Sequence, residues 1–500
     1  MSSLAAVSAR LDLIRERRPV LLLIGLVFLA VVLGWSTGAR PGLGAGMLFG
    51  VIFVAVLVLS PELAPVIVLL AAFDFLGFVD PKSFGRIPGV FKLRDLLLMC
   101  TVLVAWVESV VTRRESGIFA SLTVRAAIAY AAYVLGMIFY TVAVGHSPLN
   151  LALRVAAPYF YYLSMIPVMV FVNTPKRLFR LFGVLLILAL IPEVLSLFQI
   201  LTHKPLVSHT IVLWVRVGGL SIPRSYVLSF NLTAVALLCL FGTYLYVPSG
   251  RVRLVAALSA VAVLAGVVLT FGRAFWMATI GGLLFLFIVA AVETSTRAVV
   301  LRRTLALWLR IGAAAVLAVI FLAMAGKEES LFKLSSLVGK RFVSTFSEVT
   351  EISGTFGGRI EEGAFRLALF RQSPVFGAGY VHRTSEFASE LPEKDVGTAD
   401  SGAITVLAQS GVTGMIALGA LVFVVLRRGL FVFKSLRDPL LKGVSLGIVS
   451  FYVHSIITFA GLTGIVFTHY AGICTVGLLV GLQEVMLRVD SELEEKKHTG

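Results

Sequence analysis

The sequence predicts an all-α fold, a polytopic bundle of membrane helices, and three observations carry that expectation. Hydrophobic residues make up 58% of the 500-residue chain and charged residues 14%, whereas soluble domains carry roughly 25% charged residues. The mean hydropathy is +0.98. Apolar runs recur at roughly 18–22 residues, the length a helix needs to cross a hydrocarbon core of about 30 Å. Bounded by Pro, Gly or charges, these runs predict about 14 transmembrane helices, centred near residues 28, 51, 71, 102, 132, 161, 189, 235, 261, 283, 314, 415, 449 and 474.

The first run, from Val20 to Trp35, follows the basic RLDLIRERRP and lacks a small-residue cleavage site behind it, so a retained first helix is expected. An even number of spans puts both termini on one side, and the short basic loops say which. RERR before the first span, TRRE at 112–115, PKRLFR at 175–180, GRVR at 250–253, RAVVLRR at 297–303 and RRGLFVFKSLRD at 427–438 all fall on one face. Positive charge in short loops marks the cytoplasmic side. The same tendency accounts for the net charge of +16 without a nucleic-acid partner. The expected division is helices 1–11 over 1–325, a large external loop with short helices over 326–403, helices 12–14 over 404–487 and a cytoplasmic tail over 488–500.

In that loop acids and bases nearly balance, and its length favours a functional role over an idle linker. Residues 358–370 read as a short amphipathic helix on the membrane surface, with Ile360, Ala364, Leu367 and Phe370 on one face. Cys100, Cys239 and Cys474 lie in apolar segments without Cys-x-x-Cys spacing and read as small core residues; the seven histidines are scattered, so no metal site is expected. Nucleotide-binding glycine motifs are missing too, and no cofactor is implied.

Arginines at the external ends of spans are the unexplained feature, because topology gives no reason for them there. Arg154 opens the sixth span, Arg216 and Arg224 sit in WVRVGGLSIPRSY, Arg273 follows the break in LTFGRAFW, and Arg359 lies in the large loop. Planar guanidinium groups gathered on one face suit a bidentate grip on phosphate or diphosphate, although any one of them also fits a helix-end anchor. Pro374, Gly377 and Gly379 in SPVFGAGY break the chain just outside the membrane and are expected to shape a site wall, with Tyr380 and His382 following as candidate substrate-binding residues. GLLVG at 477–481 and GVTG at 411–414 read as helix-packing notches.

Together LTFGRAFWMATIGGLLFLF (269–287), GGRIEEGAFRLALFRQSPVFGAGY (357–380), TADSGAITVLAQSGVTGMIALG (398–419) and the earlier FKLRDLLLM (91–99) resemble the superfamily of bacterial O-antigen ligases and O-antigen polymerases. The ligases usually carry His then Asn where this chain has Asp400 and Ser401, which turns the resemblance toward a polymerase of O-antigen or exopolysaccharide repeat units. The resemblance implies metal-independent glycosyl transfer at the outer face of the inner membrane from an undecaprenyl-diphosphate-linked glycan to a polysaccharide or lipid acceptor. Arg273 and Arg359 would neutralise the leaving diphosphate and Asp400 would be the acceptor base, with Glu390 or His382 as weaker candidates. Arg216 and Arg224 would hold the diphosphate or the glycan, with Arg154 among the candidates for substrate binding. A chain-length regulator is a possible partner under this reading. The alternatives are a ligase moving a finished glycan onto a lipid A core or protein hydroxyl and, in another class, a lipid-linked oligosaccharide flippase, which would favour internal repeats that the chain does not show.

Overall fold

A computed structural model describes residues 51–73, 93–111, 118–202, 212–217, 220–225, 230–248, 250–269, 272–293, 298–299, 301–306, 309–310, 312, 363–364, 366–380, 402–461 and 465–499. A 3₁₀ turn, Pro61–Leu63, leads into α1 (Ala64–Phe73), followed by α2 (Leu93–Val111), α3 (Leu122–Ala143) and α4 (Leu149–Ala156). A second 3₁₀ segment, Ala157–Ser164, continues α4 into α5 (Met165–Phe171), and α6 (Pro175–Thr202) follows. Then come β1 (Val212–Val217) and β2 (Leu220–Ser225), α7 (Phe230–Tyr246), α8 (Arg251–Leu269), α9 (Arg273–Val292), α10 (Gly402–Ser435), α11 (Pro439–Gly461), α12 (Ile465–Thr468) and α13 (Tyr470–Thr499).

The fold is helical as the apolar runs predict. Among the described residues seven helical stretches are long and apolar enough to cross a membrane: Leu122–Ala143, Leu149–Phe171, Arg251–Val268, Ala274–Val292, Gly402–Ser435, Pro439–Ala460 and Tyr470–Glu495. They hold the expected centres near 132, 161, 261, 283, 415, 449 and 474, while those near 28 and 314 lie outside the described residues. Among the described residues Pro61–Phe73 and Asn231–Tyr246 are shorter apolar helices. One element departs from all-α: the connection after α6 is an antiparallel hairpin, with Leu213 opposite Arg224 and Arg216 opposite Ser221. β-branched residues and Trp on either side of a Gly-Gly pair explain it, a strand pattern that a search for apolar spans passes over.

α11 is the hub, packed on α7, α9 and α10, and α13 runs beside the second 3₁₀ segment, α5 and α1. Small residues permit these close approaches, as expected where lipid supplies little hydrophobic drive between helices. A Cβ on Gly242 would stand 2.1 Å from the Gly443 carbonyl oxygen, and one on Gly447 2.4 Å from Cys239 Cα. Gly477 packs on the Tyr161 and Tyr162 carbonyls and Gly481 on Val168, so GLLVG is the packing notch predicted. Of the cysteines, Cys474 is buried and Cys100 is exposed, so the latter is not a core residue.

Candidate functional site

The 373–380 turn defines one end of the bundle. α10 breaks at Gly411, whose φ of 62° and ψ of −160° are not helical. The break exposes backbone groups that an intact helix would use internally. Residues 374–379 take them up: Ala378 and Gly379 donate to the Ala408 and Gln409 carbonyls at 2.8 and 3.0 Å, while Val412 and Thr413 donate to the Pro374 and Val375 carbonyls at 2.9 and 3.1 Å. The splice needs Gly377 as well, at φ 69° with room for no Cβ, since one would lie 2.6 Å from Ser410 N. At Gly411, GVTG is therefore a docking point for the SPVFGAGY turn, while Gly414 packs against Tyr133 of α3.

Around this splice the chain gathers phenols. Tyr380 is buried, its amide donates to Thr141 Oγ1 at 2.9 Å, and its ring lies 5.8 Å from that of Tyr159. Tyr159 donates to Gln409 Oε1 at 3.0 Å, and Tyr130 meets Tyr159 and Tyr162 edge-on. Burial, reinforced by the neighbouring Tyr159 and Tyr133, pushes the Tyr380 phenol well above its ordinary range. It stays a neutral hydroxyl.

The amphipathic helix is present over 366–372, with 363–364 also helical, but its faces differ from the prediction. Ala364 is exposed, whereas Arg366 is 4% exposed and donates Nη1 to Thr405 Oγ1 at 3.2 Å. Gly363 faces Ile404, where a Cβ would sit 3.3 Å from Cδ1. The segment lies on the start of α10, and a polar seat at Thr405 turns Arg366 inward. Sequence reading counted Arg366 only among the loop's bases.

A second cluster lies on the other side of the 3₁₀ segment. Arg94, at the start of α2, stacks on the Tyr470 ring with Cζ 3.4 Å from its centroid, and Asp95 accepts from Tyr161 at 2.9 Å. Tyr470 donates to the Arg154 carbonyl at 3.3 Å, and the Arg154 side chain is exposed. Arg94 and Asp95 belong to FKLRDLLLM; charged residues opening an apolar helix were the available signal, and they were not singled out.

Of the other candidates, Arg273 is the first residue of α9, behind Gly272, and α9 packs on α7, α8 and α11. Its neighbour Trp276 donates Nε1 to the Val267 carbonyl at 2.8 Å, closing the break between α8 and α9. Phe275 meets His454 of α11 edge-on, which brings this helix start to the same end of the bundle as the 373–380 turn. Arg216 and Arg224 occupy hairpin positions of opposite parity in the register. Arg359, His382, Glu390 and Asp400 lie outside the described residues, His382 two residues beyond Tyr380 and Asp400 two before Gly402.

The basic loops lie at the other end. Arg177 and Arg180 pair with the buried Glu62, and Arg428 clasps Glu484 with Nε at 2.9 and Nη2 at 2.8 Å. Arg253 and Arg310 gather on Tyr244, and Lys442 pairs with Glu293. Four of the six basic stretches thus share one end, while the stretch before the first span and that at 112–115 lie outside the described residues.

Residues 258–419 match the O-antigen ligase family model. The match takes in α9, the 366–380 segment and α10 as far as Gly419, and it bears out the resemblance to the O-antigen ligase superfamily. No curated protein matches the chain.

Proposed function

We propose, taking the O-antigen ligase domain at 258–419 as the premise, that this membrane glycan-transfer protein is a polysaccharide polymerase. Its donor is a glycan carried on undecaprenyl diphosphate, and its acceptor is the hydroxyl of a second glycan. The observation that supports the reading most is the splice of 373–380 into the α10 break, which lies inside the matched domain and at the same end as Arg94, Arg154, Arg366 and the start of α9. Cations at one end of an apolar bundle suit a donor whose diphosphate sits at the membrane surface while its polyprenyl chain lies in lipid.

In the proposed step the acceptor oxygen attacks the anomeric carbon, the bond from that carbon to the diphosphate breaks, and the diphosphate leaves with the electron pair. Asp400 takes the acceptor proton. Arg273, at the positive end of the α9 dipole, and Arg359 offset the charge that grows on the leaving group. Asp400 in place of the His of the ligases favours polymerisation over transfer to a lipid A core, and the basic loops at the opposite end support an outward orientation of this one.

Reconstitution in proteoliposomes with a lipid-diphosphate glycan tests the assignment by product length. A ladder supports polymerase, a single transfer to another acceptor supports ligase, and movement between leaflets without bond exchange removes both. Arg273→Ala and Arg359→Ala should each abolish transfer while membrane insertion persists. Full activity in both defeats the diphosphate clamp, and an unchanged rate across pH in Asp400→Asn removes the base.

A further inference from the structure

At the end of the bundle opposite the 373–380 turn, a cavity of about 690 Å³ opens between the start of α3, the end of α5, α10 and α13. Arg428 lies 17 residues beyond Gly411 on α10, which at about 1.5 Å per residue puts the cavity some 25 Å from the splice. Its volume is in the range of small-molecule sites, about 300–1,000 Å³.

Its polar lining is asymmetric. Glu484 forms the floor and is already committed: Oε1 accepts from Ser121 Oγ and Thr123 Oγ1 at 3.0 Å each, and both oxygens accept from Arg428. Arg428 thereby keeps Nη1 without a hydrogen bond among the described residues. Arg488 is held against the wall by Nη2 donating to the Met169 carbonyl at 2.6 Å. Glu492, one turn further along α13, lines the cavity and makes no hydrogen bond or ion pair among the described residues. Ile118, Val172, Val485 and Val489 supply the apolar remainder.

We propose that this cavity holds the headgroup of an aminophospholipid, its phosphate against Arg428 and Arg488 and its primary ammonium on Glu492. The reasoning is by charge. Arg428 and Glu484 offset each other, so a purely anionic headgroup would meet the Glu492 carboxylate and a purely cationic one the Arg488 guanidinium. A zwitterion with phosphate and ammonium a few bonds apart satisfies both, and a quaternary ammonium has no N–H for Glu492. The apolar walls suit the glycerol and first methylenes, and the helix-end position suits the headgroup layer. The proposal is independent of the glycan-transfer reading.

The full chain in detergent, titrated with dioleoyl phosphatidylethanolamine, phosphatidylglycerol or phosphatidylcholine, would show bound lipid by native mass spectrometry. Phosphatidylethanolamine should be retained about tenfold over the other two, the equivalent of one charge-assisted hydrogen bond. Glu492→Gln should erase that preference and Leu487→Trp, which narrows the cavity, should abolish retention; if Leu487→Trp does not fold, Glu492→Gln decides alone. Equal retention of the three lipids, or a preference unchanged in Glu492→Gln, overturns the proposal. Free phosphoethanolamine competing as well as the lipid overturns the lipid source in favour of a soluble amino phosphate.

Discussion

Replacing Gly411 by alanine puts a methyl carbon 2.3 Å from the Val375 carbonyl oxygen and 2.6 Å from Gly377 N, at a φ of 62° and a ψ of −160° that L residues rarely adopt. The backbone conformation alone costs about 1–3 kcal/mol. Relieving the contact requires the turn to move away, which strains or breaks the four hydrogen bonds across the splice, each contributing about 1 kcal/mol. Losing even half of them brings the total to about 3–5 kcal/mol, so docking of 373–380 should weaken at least a hundredfold. Amide hydrogen exchange in lipid nanodiscs reads this directly: Ala378, Gly379, Val412 and Thr413 should lose protection together, and glycan transfer should fall with them. Gly419, also in α10, is the control, since a Cβ there meets nothing within 4 Å. Gly419→Ala should leave exchange unchanged or slow it slightly, as alanine favours helix by up to about 1 kcal/mol. Unaltered protection at the four amides in Gly411→Ala would refute the splice.

Glu484→Ala strands the Arg428 guanidinium beside Ser121 and Thr123 and should cost about 3 kcal/mol in detergent melts, while Arg428→Met with Glu484→Leu should recover most of it. Tyr380→Phe should leave the pH profile of transfer unchanged between about pH 6 and 9, because burial raises this phenol further above its ordinary value near 10. The raised value means that any stability from the neutral phenol is present below about pH 10 and is lost only above it; a moved basic limb in the variant would contradict this. Arg94→Lys removes a planar stack on Tyr470 and should cost about 1 kcal/mol of stability in the same detergent melts.

Sequence periodicity reveals what lipid imposes and conceals what tertiary packing imposes. Long apolar runs must be helices because no other backbone satisfies its own hydrogen bonds in hydrocarbon, so α3, α10, α11 and α13 were legible. The hairpin was not, because its six-residue strands are too short to register as spans. GVTG looked like a packing notch because small residues serve both helix contacts and helix breaks, and only the positive φ of Gly411 separates the two. Arg366 was missed for a related reason. An amphipathic reading sends arginine to water, and nothing local announces that Thr405, some forty residues on, gives it a buried seat. Arg94 went unremarked because its partner, Tyr470, lies at the far end of the chain.

The arrangement of the polar groups also accounts for the choice of devices at the two ends of α10. A helix in lipid can slide along its neighbour at little hydrophobic cost, because lipid and side chain are equally apolar. One turn of slip, about 5.4 Å, would carry Arg428 away from Glu484 and leave two charges apart at a half-dry interface. The same slip would carry Gly411 past Val375 and leave the carbonyls of Ala408 and Gln409 without their donors. Register is therefore held by an ion pair at one end and by four backbone hydrogen bonds at the other. The ion pair suits the end near the cavity and the basic loops, where other charges already gather. At the turn end a backbone splice fixes Tyr380 beside Thr141, and the buried Arg366 adds one side-chain bond to Thr405 at the start of α10.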